Sequence, residues 1–300
     1  MVAVESTRLE HPFFLGVYWI LVLISLGAIY LGLQWHWWWL VLLFFCPLVL
    51  LLYGRYIEPY RITVKTYALA LVDEPKEKLR VVFLSDFHAS KFKSAKFFER
   101  VIAKVKKIQP DVVLIGGDLV EEHAAFLPVV ESLAELTAKY GKYFILGNHD
   151  YLDDPHVVRK ALKAWGYHEI TNNAVTIHGA DRALRLIGLD DCWHGASDLR
   201  VMDHKHHTPC LLVVHEPDSL LDIRPEDADL ILMGHTHGGQ IRLPLIGKIR
   251  KLPQVVPQSL DRGLKKWHDI PIIISQGLGE AETRARLFCP PQIVVVEVEI

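Results

Sequence analysis

Acidic and histidine residues recur in five short segments of this chain, each directly after a run of apolar residues. The segments are Asp86-Phe87-His88, Gly116-Gly117-Asp118, Gly147-Asn148-His149-Asp150, His215-Glu216 and Gly234-His235-Thr236-His237-Gly238-Gly239. The apolar runs are short and rich in β-forming residues, so each segment is expected at the carboxyl end of a strand. Open α/β sheets place their ligand sites there. Asp and His side chains that converge at such an edge most naturally share metal ions, because buried polar groups need partners.

The ligand types narrow the choice of metal. Oxygen and imidazole nitrogen ligands without thiolate favour a manganese, iron or zinc site over a cysteine-type site. The four cysteines of the chain are far apart and form no C-x-x-C pair, so neither a disulfide framework nor a structural zinc knuckle is expected. Each segment alone could be an ordinary turn or a solvated loop. The five together, in this order and each after an apolar strand, favour a shared metal centre.

The elements that must position these segments can be read from the apolar spacing. It predicts strands at 79–84, 112–115 and 143–146, alternating with helices at 94–108, 124–138 and 155–165. Short apolar runs then dominate and predict a second sheet from strands at 174–178, 184–189, 210–214, 230–233, 272–275 and 293–298. An additional edge strand is expected at 61–71. The sequence therefore predicts an α/β domain with two sheets.

The first part of the chain has a different character. No charged residue lies between Glu10 and Arg55, a run of 44 residues. One helix of that length would measure about 66 Å, against about 30 Å for the hydrocarbon core of a bilayer. Two membrane spans, at about 13–33 and 38–54, fit better, with a turn in the tryptophan-rich stretch between them. A buried helical hairpin is the alternative, and a cleaved signal peptide is disfavoured because a basic leader and a cleavage site are lacking.

The distribution of charged residues argues against nucleic acid as a partner and predicts the orientation of the two spans. Residues 61–300 hold 31 basic and 32 acidic side chains, and the whole chain has a formal net charge of −2. A protein that grips nucleic acid would carry a basic excess. Arg8 precedes the first span, Arg55, Arg61 and Lys65 follow the second, and the connecting turn has no Lys or Arg. The positive-inside rule then predicts both termini in the cytoplasm.

The order D-x-H, G-G-D, G-N-H-D, H, G-H-x-H resembles the calcineurin-like metallophosphoesterase superfamily over roughly 79–300. The stretches 234–244 and 277–293 resemble a bacterial branch with an N-terminal membrane segment. Some members of that branch hydrolyse UDP-2,3-diacylglucosamine in lipid A synthesis. The resemblance implies an α/β fold of two packed mixed β-sheets flanked by helices, a calcineurin-like αββα sandwich after a two-helix transmembrane hairpin. The expected organisation is an anchor at 1–55, a connector with an edge strand at 56–78 and a metallophosphoesterase domain at 79–300.

The resemblance also implies a ligand set for two divalent ions, with manganese the first choice and iron or zinc the alternatives. One ion would be held by Asp86, His88, Asp118 and His237, and the other by Asp118, Asn148, His215 and His235. Asp118 would bridge the pair. Two ions about 3.5–4 Å apart can hold the attacking and leaving oxygens of a phosphoryl group. The implied enzyme is a metal-dependent hydrolase in which a metal-bound hydroxide attacks a phosphodiester or pyrophosphate.

Three further residues receive roles from the same resemblance. His149 is expected to be catalytic, stabilising charge on the phosphoryl group or protonating the leaving oxygen, with a supporting hydrogen bond as the alternative. Glu121 occupies the position whose carboxylate orients that histidine in relatives, and Asp150 is its rival. Arg286 is a candidate substrate-binding residue that could hold a phosphate, and a surface salt bridge is the alternative.

The expected function is that of a membrane-anchored phosphohydrolase of the bacterial inner membrane, with its site facing the cytoplasm. Its expected partners are the lipid bilayer and a phosphorylated, lipid-linked substrate. A broad-specificity phosphodiesterase or phosphatase acting on another substrate is the first alternative. A non-catalytic membrane scaffold is the second, and the intact ligand set argues against it. The basic and aromatic stretch 91–98 could dock on anionic lipid or send its Phe side chains into the core. The cluster His204, His206 and His207 is expected in a solvated loop.

Overall fold

A computed structural model of the protein describes residues 12–202 and 208–300, and side chains from residue 15 onward. The predicted loop cluster His204, His206 and His207, and the flanking Arg8, lie outside the described residues. The described residues form four α-helices: α1 Pro12–Gln34, α2 Trp38–Tyr56, α3 Ala95–Ile108 and α4 Pro155–Ala164. The α1–α2 pair is a hairpin whose turn falls at 35–37, inside the predicted tryptophan-rich stretch.

The first sheet contains six strands. They are β1 Thr63–Ala70, β2 Lys78–Leu84, β3 Val112–Gly116, β4 Lys142–Ile145, β5 His168–Glu169 and β14 Gln292–Glu299. Their order is β1-β14-β2-β3-β4-β5. Strands β2 to β5 run parallel, so β2, β3 and β4 end at the same edge. β1 lies at the outer edge and pairs in parallel with β14, as Thr63 with Gln292.

The second sheet also has six strands. They are β6 Asn173–His178, β7 Ala183–Gly188, β8 Cys210–Val213, β9 Leu230–Met233, β12 Gly263–Trp267 and β13 Ile270–Ile274. Their order is β12-β13-β9-β8-β7-β6, and β7, β8, β9 and β13 are parallel. A two-stranded hairpin, β10 Arg242–Leu243 with β11 Gly247–Lys248, stands apart. The predicted α/β fold class with two sheets is confirmed, but the strand expected at 293–298 in the second sheet is β14 of the first sheet. Strands β5, β10, β11 and β12 were not predicted.

The two sheets pack face to face through residues that alternate along each strand. Val81 and Phe83 of β2 face Leu211 and Val213 of β8 in one buried cluster. The intervening Val82 points to the other side, where it packs against α3. Both faces of β2 are therefore buried, which explains its nearly continuous apolar sequence.

The predicted helix at 124–138 forms a 3-10 helix over Ala124–Glu135 instead of an α-helix. Pro128 lies inside it and has no N–H to donate. The buried residues Leu127, Val130 and Leu133 are spaced by three, the period of a 3-10 helix. The apolar character of this segment was predicted correctly, and its helix type was wrong.

The stretch 91–98 turns its aromatic side chains inward. Phe97 and Phe98 are buried in the core beside α3, and Lys93 is buried as well. The Lys93 Nζ donates to Glu280 Oε1 at 2.6 Å and to the Leu278 carbonyl at 3.1 Å. The core reading therefore holds for Phe97 and Phe98, whereas Lys91 and Lys96 are exposed and Phe92 is half-buried.

The helical hairpin is joined to the domain by direct hydrogen bonds. The Gly54 carbonyl accepts from the Arg286 backbone N–H at 2.8 Å, and the Arg55 Nη1 donates to the Arg284 carbonyl at 2.9 Å. Glu58 is buried, and its carboxylate accepts the backbone N–H groups of Phe288 at 2.9 Å and Cys289 at 2.5 Å. The attachments at Gly54, Arg55 and Glu58 therefore fix the end of α2 and the residues directly after it to the loop between β13 and β14.

Replacing Glu58 with alanine should destabilise the folded protein, because two backbone N–H groups at 288 and 289 would lose their acceptor. An unsatisfied buried group costs about 1–3 kcal/mol. The midpoint of thermal unfolding, measured in detergent by circular dichroism, should fall for Glu58→Ala. Glu99→Ala on the exposed face of α3 is the matched control and should leave it unchanged. Equal midpoints for the two variants would show that the attachment contributes nothing.

Candidate metal centre

The five polar segments converge at one edge of the two-sheet sandwich. Asp86 and His88 follow β2, Asp118 follows β3 and Asn148 follows β4, all in the first sheet. From the second sheet, His215 follows β8, and His235 and His237 follow β9. Because these strands are parallel within each sheet, their carboxyl ends bring all seven side chains to the same region. The structure thus brings together every residue named as a metal ligand.

One cluster joins Asp86, His88 and His237. One ligand atom from each lies within 4.8 Å of the other two. The Nε2 atoms of His88 and His237 face each other at 2.9 Å, and His237 Nε2 is 3.5 Å from Asp86 Oδ1. All three residues are buried. These are the three residues, other than the bridging Asp118, that the resemblance assigns to the first ion.

A second cluster joins Asp118, His215 and His235 in the same way. His215 Nε2 lies 3.1 Å from Asp118 Oδ2, and His235 Nδ1 lies 3.1 Å from Asn148 Oδ1. His215 Nδ1 donates to the Gly116 carbonyl at 2.6 Å, which fixes Nε2 as the nitrogen that faces the cluster. Metal-bound histidines characteristically use their second nitrogen in this manner.

The donor set fits two divalent ions. Among the described residues, the buried His215 Nε2, which faces Asp118 in the second cluster, makes no hydrogen bond of acceptable geometry. Buried polar atoms are rarely left unpaired in native structures, and an ion is one of the few partners that explains them. The neutral imidazoles, carboxylates and amide oxygen are ligands of the borderline metals manganese, iron and zinc.

Asp118 lies between the two clusters. Its Oδ2 is 3.4 Å from His88 Nε2 and 3.1 Å from His215 Nε2, while its Oδ1 accepts the His149 backbone N–H at 2.9 Å. Burial opposes the charged carboxylate, but the nearby His215 and His149 hold the pKa of Asp118 well below its usual range. It is therefore a carboxylate at neutral pH and is placed to bridge two ions.

Five of the seven residues predicted to be ligands have a left-handed backbone. Their φ angles are 54° for Asp86, 45° for His88, 55° for Asp118, 65° for His235 and 50° for His237. Non-glycine residues rarely adopt this region, which costs about 1–2 kcal/mol per residue. Strain of this kind persists where surrounding structure enforces it, and it clusters at functional sites.

Two glycines make room for the bridge. A Cβ on Gly147 would lie 2.4 Å from Asp118 Oδ1 and 2.6 Å from His215 Cε1. Gly117 has a φ of +92°, and a Cβ there would lie 2.5 Å from the Gly147 backbone nitrogen. Both motifs therefore need glycine for close backbone approach rather than as ordinary turn residues.

His149 lies beside the clusters, as expected for a residue that acts on the substrate. Its ring is edge-on to His88, with centroids 4.6 Å apart. Its Nδ1 donates to the Glu121 carbonyl at 2.5 Å, so Nδ1 carries a hydrogen and Nε2 is left to accept or donate a proton. His149 also belongs to a third possible ligand group with His88 and Glu121. Its role as a non-ligand stays a prediction.

The Glu121 side chain does not orient His149. Its carboxylate lies 2.8 Å from His88 Nδ1 and 3.2 Å from Arg284 Nη2, and only the backbone carbonyl of Glu121 reaches His149. Burial opposes the charge on Glu121, but His88 and Arg284 lower its pKa to about 2. The expected orienting contact is thus made by the backbone, and the carboxylate positions the proposed ligand His88 instead.

Asp150, the rival orienter, has a different task. Its Oδ1 accepts the Leu119 N–H at 2.8 Å, and its Oδ2 accepts the Gly147 N–H at 3.0 Å. It therefore ties the loop after β3 to the loop after β4. Burial and the charge of Asp118 raise the pKa of Asp150 to about 7.

Arg286 does not face the substrate side, contrary to the expectation. It is fully buried, its Nη1 donates to the Cys289 carbonyl at 3.0 Å, its Nη2 donates to the Gly279 carbonyl, and its Nε lies 3.4 Å from Glu280. These contacts occupy the guanidinium inside the loop between β13 and β14. A surface salt bridge, the alternative, is wrong for the same reason.

Burial and neighbouring charges divide the histidines into two kinds. Burial opposes a charged His88, but Glu121 and Asp118 raise its pKa to about 10. Burial and the positive His215 lower the pKa of His235 to about 3. Burial and His88 likewise hold the pKa of His237 far below its usual range. His235 and His237 are therefore ready as neutral ligands. His88 must release a proton to bind an ion, and so must His215, whose pKa is raised well above its usual range by Asp118 and Glu216 despite its burial.

Sequence reasoning missed two neighbours of the site. Arg284 pairs with Glu121 and stacks over Phe92, with its guanidinium carbon 4.5 Å from the ring centroid. Trp193 lies edge-on to His235, with ring centroids 4.5 Å apart, and is partly exposed at the rim. Trp193 belongs to none of the recognised motifs. Arg284 lies in the stretch 277–293, but nothing in the sequence distinguished it from the neighbouring Arg286.

Comparison with known proteins places this arrangement in a family. The calcineurin-like phosphoesterase model matches residues 79–239. Phosphodiesterase YaeI of Escherichia coli (strain K12) is 30% identical over 253 residues, which cover 82% of this chain and 91% of YaeI. The uncharacterized metallophosphoesterase YkuE of Bacillus subtilis (strain 168) is 31% identical over 258 residues, covering 81% and 87%. A transmembrane protein with metallophosphoesterase domain from Danio rerio is 29% identical over 212 residues, covering 64% and 48%.

The fold and the site define a metal-dependent phosphoester hydrolase. The chain belongs to the calcineurin-like phosphoesterase family, and the predicted superfamily is confirmed. Members of this family typically bind two divalent metal ions, in agreement with the two ligand clusters.

We expect the purified protein to hold about two transition-metal ions per chain, and Asp118→Asn to lose most of both. The amide cannot supply the charge that the two clusters share. Metal content after mild dialysis, measured by plasma mass spectrometry, tests this. His149→Ala is the matched variant from the same edge and should keep its metal. Loss of metal from His149→Ala would show that His149 is a ligand.

Metal binding near pH 7 should release protons, because His88, with a pKa of about 10, is charged in the metal-free protein. A ligand must be deprotonated before it binds an ion. The number released can be obtained from calorimetric titrations with Mn²⁺ in buffers of different ionisation enthalpy. Glu121→Gln removes the group that raises the His88 pKa, so this variant should release fewer protons than the parent. An equal number would contradict the assigned role of Glu121.

Proposed function

We propose that this protein is a membrane-anchored, two-metal phosphohydrolase that cleaves a phosphodiester or pyrophosphate in a lipid-linked substrate. UDP-2,3-diacylglucosamine is the first compound to test. The proposed location is the bacterial inner membrane, with the metal centre on the cytoplasmic side. Arg55 in the last turn of α2, Arg61 and Lys65 beyond it, and the lack of Lys or Arg in the turn at 35–37 support this orientation.

Two helices support the anchoring. The stretches Leu15–Gln34 and Trp38–Tyr60 are long and apolar enough to cross a membrane, and most of each window is exposed on the protein surface. Side chains such as Leu23 and Trp39 are about two-thirds exposed. A hairpin buried in a soluble core would hide these groups, so a bilayer is the better surrounding for them. The Danio rerio relative is itself called a transmembrane protein.

The observation that carries the proposal is the short, rigid connection between the second helix and the metal centre. The loop between β13 and β14 is hydrogen-bonded at one end to Gly54, Arg55 and Glu58. At the other end, the backbone N–H groups of Leu278 and Gly279 donate to the Asp86 carbonyl at 3.1 and 2.6 Å. A single loop thus links the membrane helix to a proposed ligand. A site held this way stays near the bilayer surface, where a lipid-linked phosphate is found.

The residues of this chain then have separate tasks. Two divalent ions held by the seven ligands would polarise a phosphoryl group and lower the pKa of a water. Glu121 and the Gly116 carbonyl fix the ring orientation of His88 and His215. His149 has its Nδ1 hydrogen committed to the Glu121 carbonyl, so its Nε2 can give a proton to the leaving oxygen.

A broader phosphodiesterase activity is the second candidate. It is favoured by the relative from Escherichia coli, which is called a phosphodiesterase. Such an enzyme would cleave soluble diesters regardless of a membrane. The two candidates share the metal centre and differ in what the anchor contributes.

Removing residues 1–56 should separate the candidates. The shortened protein starts at Ile57, so it keeps Glu58 and all seven ligands. Turnover of a soluble aryl phosphodiester should be largely retained. Turnover of UDP-2,3-diacylglucosamine in vesicles should fall by about tenfold or more, because the anchor raises the local enzyme concentration at the surface. No loss on the lipid-linked substrate would favour the broader activity, and equal loss on both substrates would mean that the hairpin supports the fold. His149→Ala in both lengths controls for background hydrolysis.

A further inference from the structure

An apolar cavity of about 990 Å³ separates the helical hairpin from the domain. Leu21 and Ile24 of α1 and Leu51 of α2 form one wall, and Ile241 and Leu287 of the domain form the other. Ligand-binding pockets commonly measure about 300–1,000 Å³. The space is therefore large enough for a ligand and is shared between the two parts of the chain.

The wall chemistry selects an apolar occupant. Among the described residues that line the cavity, Arg250 alone is charged, and it is engaged with Glu282, its Nη2 lying 3.2 Å from Glu282 Oε1. Ordered water in a cavity needs two to four polar partners, and walls made mostly of aliphatic side chains do not supply them.

The position of the cavity points to a lipid chain rather than to a peptide. Its helical wall runs from Val17 to Ser25 on α1, which spans about 12 Å, less than half of the roughly 30 Å hydrocarbon core. The wall helices are the two that can cross a membrane. Acyl chains are the apolar groups present in a bilayer, so they can enter a space bounded by such helices.

A neighbouring hairpin extends the apolar surface outward. Leu243 and Ile249, on either side of the β10–β11 turn, line the cavity. The turn between them carries Leu245, which is fully exposed, and Ile246, which is mostly exposed. Contiguous exposed apolar side chains mark contact with a membrane or a partner. Because they continue the wall beside membrane-spanning helices, the bilayer is the surface that fits.

The same two loops contribute residues to the cavity and to the metal centre. Gly239, which lines the cavity, lies two residues beyond the proposed ligand His237. The opposite lining residues Thr283, Ala285 and Leu287 belong to the same loop that bonds to Asp86. A molecule with a phosphate at the metals could therefore extend an attached chain around this loop.

We propose that this cavity binds an acyl chain of a membrane lipid, and that the chain belongs to the substrate whose phosphate reaches the metal centre. The second clause rests on the proposed function. The substrate class is then a phosphodiester or pyrophosphate with a long acyl chain on one side, and chain length should affect recognition.

The test uses the full-length protein in phosphatidylcholine nanodiscs that contain a phosphatidic acid with a diazirine near the end of its acyl chain. After illumination, cross-linked peptides are mapped by mass spectrometry. Residues 283–287 lie in the domain, outside both helices, so their labelling reports entry of a chain into the cavity. Labelling confined to α1 and α2 would overturn the proposal.

Two variants fill the cavity from opposite walls, Ala285→Trp from the loop and Ile24→Trp from α1. Each should lower labelling of 283–287 at least fivefold. Ala164→Trp, on the exposed face of α4, is the matched control and should label like the parent. Unchanged labelling in both filling variants would overturn the proposal even if one of them folded poorly.

Labelling does not require turnover, which keeps the two proposals apart. Protein that labels 283–287 but hydrolyses no lipid-linked phosphate would support the cavity and reject the proposed substrate class. Protein that hydrolyses the lipid without labelling 283–287 would do the reverse.

Discussion

The site depends on the contacts that the Asp118 carboxylate makes with histidines from both sheets. Asp118 follows β3 in the first sheet, and it meets His88 from the same sheet and His215 from the second. The two sheets are held together by apolar side chains, which have no direction of their own, whereas these contacts fix their carboxyl ends to within a few ångströms. The left-handed backbones of the ligand residues and the missing side chains at 117 and 147 follow from that close approach.

Much of this centre could be predicted from the sequence, because motif and strand order constrain each other. An apolar strand followed by Asp or His defines where a ligand begins, and parallel strands bring such ends together. All seven ligand positions lie at the predicted edge. The two long apolar helices were equally clear from their length and lack of charge.

Other contacts could not be predicted, because they depend on which atom of a residue does the work. Glu121 was chosen for its carboxylate, yet His149 is held by its carbonyl, a group that every residue has. Arg286 was chosen for its charge, but its surroundings are backbone carbonyls in a buried loop. At 124–135 the apolar pattern fitted an α-helix, but Pro128 has no N–H to donate and the segment forms a 3-10 helix. Sequence shows the type of side chain and its period, and these cases depend on three-dimensional neighbours.

The place of β14 in the first sheet has a consequence for how the protein is made. β14 comes after every other described strand along the chain, yet it lies between β1 and β2. At about 5–20 residues per second, the ribosome needs roughly 11–46 seconds to travel from Thr63 to its partner Gln292. Throughout that interval neither edge of β1 has a partner strand. Synthesis therefore exposes an edge of β1 that β14 covers in the finished enzyme, and delay or premature termination would leave that edge open to pairing with another chain.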